Sequence, residues 1–301
     1  MSGTSEWTVT EPHKLVFDGH VDTVRVRIVG GAVNVVGVEE GPARLEVSEL
    51  DGPPLLVSLK GGTLTVGYDD LPWKGFLKWL GGRGWERHTV VSLAVPQRTR
   101  VEVGVVGASA VISGISEAIQ VRGVNGDITL VGAGGPVSAN TVGGNVEAQA
   151  VSGDLHVSTV SGDLTVVEGS SARIKAESVS GNMVLDLAPV DTPPGADVRL
   201  NTVSGEIAIR IPEPANAEVD ANTTSGAVSC AFEDLRVSGQ WGAKRITGRI
   251  GAGGAHLKAT TVSGAIALLR RPPLDDEPGG PVADEPAGAT DRETPSLRKD
   301  I

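Results

Sequence analysis

The chain has 301 residues, 40% of them hydrophobic and only 3% aromatic, with a formal net charge of −11. The acidic balance argues against nucleic acid, because phosphate binding needs clustered Lys and Arg to release counterions. The shortage of aromatics sets a narrow core of Val, Leu, Ile and Ala. No window approaches the roughly 18 apolar residues of a membrane-crossing helix, and a single cysteine, Cys230, makes no internal disulfide.

Residues 1–14 are polar and mixed in charge, without the apolar run behind a basic end that marks a secretory signal. They read as a flexible arm, and the expected location is cytoplasmic, with peripheral attachment to a membrane as a variant. Residues 15–88 form an N-terminal β region. Val24, Val26 and Ile28 alternate with Arg25 and Arg27 in the period of a half-buried strand, and Gly30-Gly31 and Gly61-Gly62 are turns.

Within this region residues 71–88 break the β habit. They hold Trp73, Trp79 and Trp85 beside Phe76, with Lys74, Lys78, Arg83 and Arg87 against Glu86. Apolar rings among cations form a candidate surface contact for an anionic membrane or a partner. The competing reading is a cap, since a solenoid must cover the greasy end of its terminal coil.

From residue 89 to 271 a nine-residue period takes over. Turn positions fall at Ala108, Glu117, Gly126, Gly135, Gly144, Gly153 and Gly162, and the second and fourth residues after each are apolar. With insertions the register continues through Ala172, Gly181, Ala196, Gly205, Ala217 and Gly226, then Gly248, Ala255 and Gly264. A fixed self-similar period marks a solenoid, and one coil reads as two units, about 18 residues. The alternate turns at Gly126, Gly144, Gly162, Gly181, Gly205, Gly226 and Gly264 are the stronger ones. Cys230 falls in an inward slot and is expected in the core. Insertions at 188–195 and 232–244 mark outer loops, the second holding Trp241.

Coils of this length place Asp127, Asn145, Asp163, Asn182 and Glu206 on one edge. Alternating Asp with Asn avoids like charges about 4.8 Å apart. The plain reading is turn chemistry, in which Asx side chains bond nearby backbone. A calcium edge would need Gly-Gly-x-Gly-x-Asp repeats, which this chain lacks. Asp18-Gly-His20-Val-Asp22 is similar to the first metal motif of a family of zinc aminopeptidases, but no later His-bearing counterpart follows, so neither metal nor cofactor is expected.

The last segment, 272–301, opens on Pro272-Pro273 and carries six prolines, eight acidic and three basic residues with few large apolar ones. Burial there cannot offset the entropy of ordering, and a disordered acidic tail is expected.

The Val-Ser-Gly-Asp-Leu phrases and the preceding Asn140-Thr-Val142, Ser158-Thr-Val160 and Asn201-Thr-Val203 resemble the bacterial "putative adhesin" β-strand-repeat family, a domain of unknown function. The resemblance runs from about Val21 to Leu269, and the Trp-Lys-Gly-Phe-Leu segment is similar to one bacterial subgroup. It implies a β-solenoid with no known catalytic residues, and its label implies export.

The expected fold is therefore all-β, a single-stranded β-solenoid with an irregular N-terminal β cap and a disordered C-terminal tail. The expected function is a non-catalytic scaffold or interaction module, with a protein partner or self-association through a terminal strand whose edge Pro272-Pro273 blunts. A membrane surface is the alternative partner. A polysaccharide-active β-helix enzyme is the rival class. The coils argue against a glycan, offering only Trp241 and Phe232 for stacking.

Overall fold

The structure is a computed structural model that describes residues 4–68, 87–188, 195–240 and 242–271. Every regular element among them is a strand. The first eight are β1 (Thr4–Val9), β2 (His13–Phe17), β3 (Thr23–Ile28), β4 (Gly30–Val38), β5 (Ala43–Asp51), β6 (Leu55–Lys60), β7 (Thr63–Gly67) and β8 (His88–Pro96). The regular coils use β9 (Arg100–Val105), β10 (Ser109–Ser113), β11 (Ile119–Arg122), β12 (Ile128–Val131), β13 (Val137–Asn140), β14 (Val146–Gln149), β15 (Leu155–Ser158), β16 (Leu164–Gly169), β17 (Arg173–Glu177), β18 (Met183–Leu187), β19 (Asp197–Asn201) and β20 (Ile207–Ile211). The last six are β21 (Ala217–Thr223), β22 (Val228–Cys230), β23 (Leu235–Gln240), β24 (Ala243–Ile250), β25 (Ala255–Thr261) and β26 (Ile266–Arg270).

They form two sheets. A long sheet of 14 strands runs β1-β6-β7-β3-β9-β11-β13-β15-β17-β19-β25-β21-β24-β23, and a short sheet of 12 runs β2-β5-β8-β4-β10-β12-β14-β16-β18-β20-β26-β22. Between β9 and β20 the chain alternates sheets, so each coil has two faces and two corners. Ala110 lies beside Ile128 and Ile119 beside Val137, 18 residues on in each case. The two inner slots per strand are filled as the periodicity requires: Ile128, Leu130, Val146, Ala148, Leu164 and Val166 from the short sheet, and Val137, Ala139, Leu155 and Val157 from the long one, are all buried. Small Ala alternates with Val and Leu, which keeps two short strands packed without aromatic rings.

The ends depart from chain order. The coil β3–β4 lies inside β7–β8, because β3 pairs with both β7 and β9, and β4 with both β8 and β10. At the other end β25–β26 slots between β19–β20 and β21–β22. The strand that ends the described chain is therefore internal, which corrects the expectation that Pro272-Pro273 blunts a terminal edge. Gly248, read above as a corner, sits inside β24 with φ 152°. Antiparallel strands close the stack: β6 and β1 on the long sheet and β5 and β2 on the short one at the N-terminal end, but only β24 and β23, both on the long sheet, at the C-terminal end.

Candidate contact surfaces

The crossing from the long sheet to the short one repeats a five-residue corner, as in Thr141–Asn145, Thr159–Asp163, Ser178–Asn182 and Thr202–Glu206. Its first hydroxyl residue turns inward and is largely buried; Thr141, Thr159 and Thr202 are 5–7% exposed. There it accepts the Gly N–H three residues on: Gly144 N to Thr141 Oγ1 at 3.2 Å, Gly162 N to Thr159 Oγ1 at 3.0 Å, Gly181 N to Ser178 Oγ at 2.7 Å and Gly205 N to Thr202 Oγ1 at 3.1 Å. The corners at Thr223 and Thr261 repeat this bond at 2.9 and 3.0 Å. The glycine is required by close approach: a Cβ on Gly162 would stand 2.0 Å from the Gly144 carbonyl oxygen, and one on Gly181 1.9 Å from that of Gly162.

The five edge residues stand at this corner, one coil apart, and are linked side chain to backbone. Asp127 Oδ1 accepts from Asn145 N (2.9 Å), Asn145 Oδ1 from Asp163 N (3.0 Å), Asp163 Oδ1 from Asn182 N (2.8 Å) and Asn182 Oδ1 from Glu206 N (2.9 Å). One oxygen of each Asx is thus committed to the next coil, the job of turn chemistry.

Burying the hydroxyl residue turns its successor outward, and here lies the feature that sequence reasoning missed. Val142, Val160, Val179, Val203 and Val262 are 40–50% exposed and stack one per coil. Their carbonyls accept from the next coil, Ser161 N to Val142 O, Ser180 N to Val160 O and Val262 N to Val203 O. At about 4.8 Å per coil the five make an apolar stripe of about 19 Å. Asp127, Asp163 and Glu206 flank it. The signal was in the sequence as Thr-Val or Ser-Val before Ser-Gly or Gly-Gly, recurring once per coil and not once per turn.

The return corner has other chemistry. Gly114, Gly132, Ala150 and Glu168 each adopt positive φ, 66°, 60°, 51° and 55°, and the apolar residue that follows in the first three, Ile115, Ala133 or Val151, is buried. Val151-Ser-Gly-Asp and Val160-Ser-Gly-Asp are the same phrase, yet Val151 is in the core and Val160 in solvent.

The outer face of the long sheet is charged and paired. Glu102, 9% exposed at its side chain, is held by Arg25 Nε (3.0 Å) and Arg100 Nε (3.5 Å). Beside it Arg27 has a lowered pKa, through burial first and the neighbouring Arg25 charge second, with Glu102 opposing. Near the C-terminal end an open groove of about 490 Å³ is lined by Asp197, Arg199, Glu218, Asp220, Arg249 and His256, among others. Several of its charges are paired: Arg199 with Asp197 (2.8 Å), Arg249 with Glu218 (2.7 Å), His256 also near Glu218 (3.6 Å), while Arg245 from outside the lining clasps both oxygens of Asp220 at 2.8 Å each. The hydrogen bond from Arg245 to Asp220 and their Coulomb attraction raise the Arg245 pKa. Such forks fix strand positions.

The remaining candidates are scattered. His20 Nε2 meets Asp22 Oδ1 at 2.7 Å on the surface, and among the described residues no three His, Cys, Asp or Glu converge as metal ligands. Cys230 packs against the core, as its inward slot implies, but is only half-buried, β22 being the outermost short-sheet strand. Trp73, Lys74, Phe76, Lys78, Trp79 and Trp85 lie outside the described residues, as do Trp241 and the 272–301 tail. The flanks of the tryptophan segment are described: the Tyr68 hydroxyl bonds Thr89 Oγ1, and the Arg87 guanidinium lies 4.9 Å from the centre of the Tyr68 ring.

Three solved structures are similar over most of their length: a "putative cell adhesion protein" from Clostridium sporogenes (10% identity, 87% of this chain and 100% of that one, TM-score 0.24), a "putative lipid binding protein" from Parabacteroides distasonis (15%, 86% and 97%, 0.40) and a "putative adhesin" from Parabacteroides merdae (9%, 89% and 96%, 0.33). No curated protein matches the chain. The family model described as Toastrack DUF4097 matches residues 54–269, from β6 to β26, and the chain belongs to that family.

Proposed function

We propose that the protein is a non-catalytic interaction module, an adhesin-like β-solenoid whose contact surface is the threonine corner. One observation carries this reading: five valines held in register, half-exposed on a rigid edge, where water would favour polar side chains. The Asx ladder and the buried Thr hydroxyls fix that edge, so little order is lost on binding. The acids beside the stripe favour a protein partner with apolar residues rimmed by Lys or Arg. The test is cross-linking in the producing cell with Val160→Lys/Val179→Lys beside Val184→Lys, a control at a 43% exposed valine on the outer face of the short sheet. Loss of a cross-linked partner in the corner variant alone supports the reading. Retention in both, or loss in both, defeats it.

A second reading rests on the flanks of the tryptophan segment. The chain leaves the long sheet at Gly67 and joins the short sheet at His88, with Tyr68 and Arg87 stacked at the two flanks, so 18 residues rich in Trp and Lys depart and return at one point of the fold. Such a segment suits docking on an anionic membrane. Flotation with anionic vesicles checks it; equal behaviour of the parent and Trp73→Ala/Trp79→Ala removes the idea.

A further inference from the structure

The two ends of the solenoid are finished differently. At the N-terminal end both sheets gain two antiparallel strands, and these cap each other: Trp7 of β1 meets Phe17 of β2 edge-on, centroids 5.2 Å apart, over buried Val9, Leu45 and Val57. At the C-terminal end only the long sheet gains two, β24 and β23, while the short sheet stops at β22 with three residues. The excess of 14 strands over 12 is this overhang. Leu235 and Ile246 are still covered, but Arg236 to Gln240 are exposed on both faces, and Val237, on the side facing inward, is 55% exposed.

Nothing among the described residues pairs the outer edge of β23, so alternate backbone groups of this six-residue strand stand open, apart from Leu235 N, which turns back to Phe232 O. Open edges are usually blunted by charge, proline, bulges or brevity. Of the other edges, β2 carries His13 and Lys14 and β22 is short, while β1, like β23, has a single charge, Glu6, and no proline. Strand β23, Leu-Arg-Val-Ser-Gly-Gln, has one charge and no proline.

We infer that β23 is a self-pairing edge, joining two copies about a two-fold axis. Paired antiparallel about Val237, Val237 faces its own copy, Arg236 faces Ser238 and Leu235 faces Gly239 of the second chain. The lone charge then meets an uncharged hydroxyl, and the two exposed valines meet on the axis. An isologous contact of this kind closes at two, whereas β23 on β1 of the next copy would propagate a fibre. A six-residue edge contact is small, so the dimer is weak and concentration-dependent. The inference deepens the interaction-module reading, but its test uses the purified chain alone and does not pass through the valine stripe.

Sedimentation velocity of the full chain over a wide range of concentration is the test, with Val237→Lys/Ser238→Lys and, as a control, Ser5→Lys/Thr8→Lys in β1. The expected result is a monomer–dimer equilibrium, lost in the β23 variant with its circular dichroism unchanged and kept in the β1 variant. A parent that stays monomeric throughout overturns the inference, as does a dimer that survives the β23 substitutions. Growth beyond dimers that the β1 variant stops would show head-to-tail pairing and overturn the two-fold.

Discussion

The two corners of each coil solve one problem in opposite ways. At the threonine corner a buried hydroxyl takes up the Gly N–H, the neighbouring coil's carbonyl occupies the space of a Cβ, and the valine is turned outward. At the return corner a residue of positive φ reverses the chain and turns the apolar residue inward. The same four letters, Val-Ser-Gly-Asp, therefore mean core or surface according to the residue before them: Ala150 at φ 51°, or Thr159 with its hydroxyl inside. The exposed valine stripe arises where backbone satisfaction, and not burial of apolar area, decides which way a side chain points.

The contrast can be broken by substitution. The largest effect is expected for Gly162→Ala, which sets a methyl 2.0 Å from a backbone carbonyl that cannot move without its coil; a loss of about 3 kcal/mol or more, or failure to fold, should appear in urea unfolding. Thr159→Val keeps the shape but leaves the Gly162 N–H without its acceptor, at a cost of about 1–3 kcal/mol by the same measurement. At the return corner Gly132→Ala meets nothing within 4 Å and bears only the strain of φ 60°, about 1 kcal/mol. The smallest effect, opposite in sign, belongs to Ala150→Gly: relief of a φ of 51° should raise the unfolding midpoint slightly, offset by glycine's greater freedom in the unfolded chain.

Legibility in the sequence followed the same division. The coil length, the inner slots from Ala110 to Leu268 and the edge positions of Asp127, Asn145, Asp163, Asn182 and Glu206 were readable, because period and alternation are local properties. The outward valines were not, since an apolar letter beside a glycine turn reads as core until the threonine before it is assigned a partner. Nor was the order of coils at the ends: β25–β26 lies between β19–β20 and β21–β22, a non-local fact that no nine-residue period encodes. Gly248 misled for the same reason, matching the register by spacing while lying within β24.

One measurement goes to the centre of the account. Urea unfolding of Val151→Lys and Val160→Lys, identical changes in identical phrases at the two corners, should separate widely. The account predicts that Val160→Lys stays within about 0.5 kcal/mol of the parent and that Val151→Lys, burying an unpaired ammonium in the core, loses several kcal/mol or does not fold. Equal losses at the two positions would contradict it.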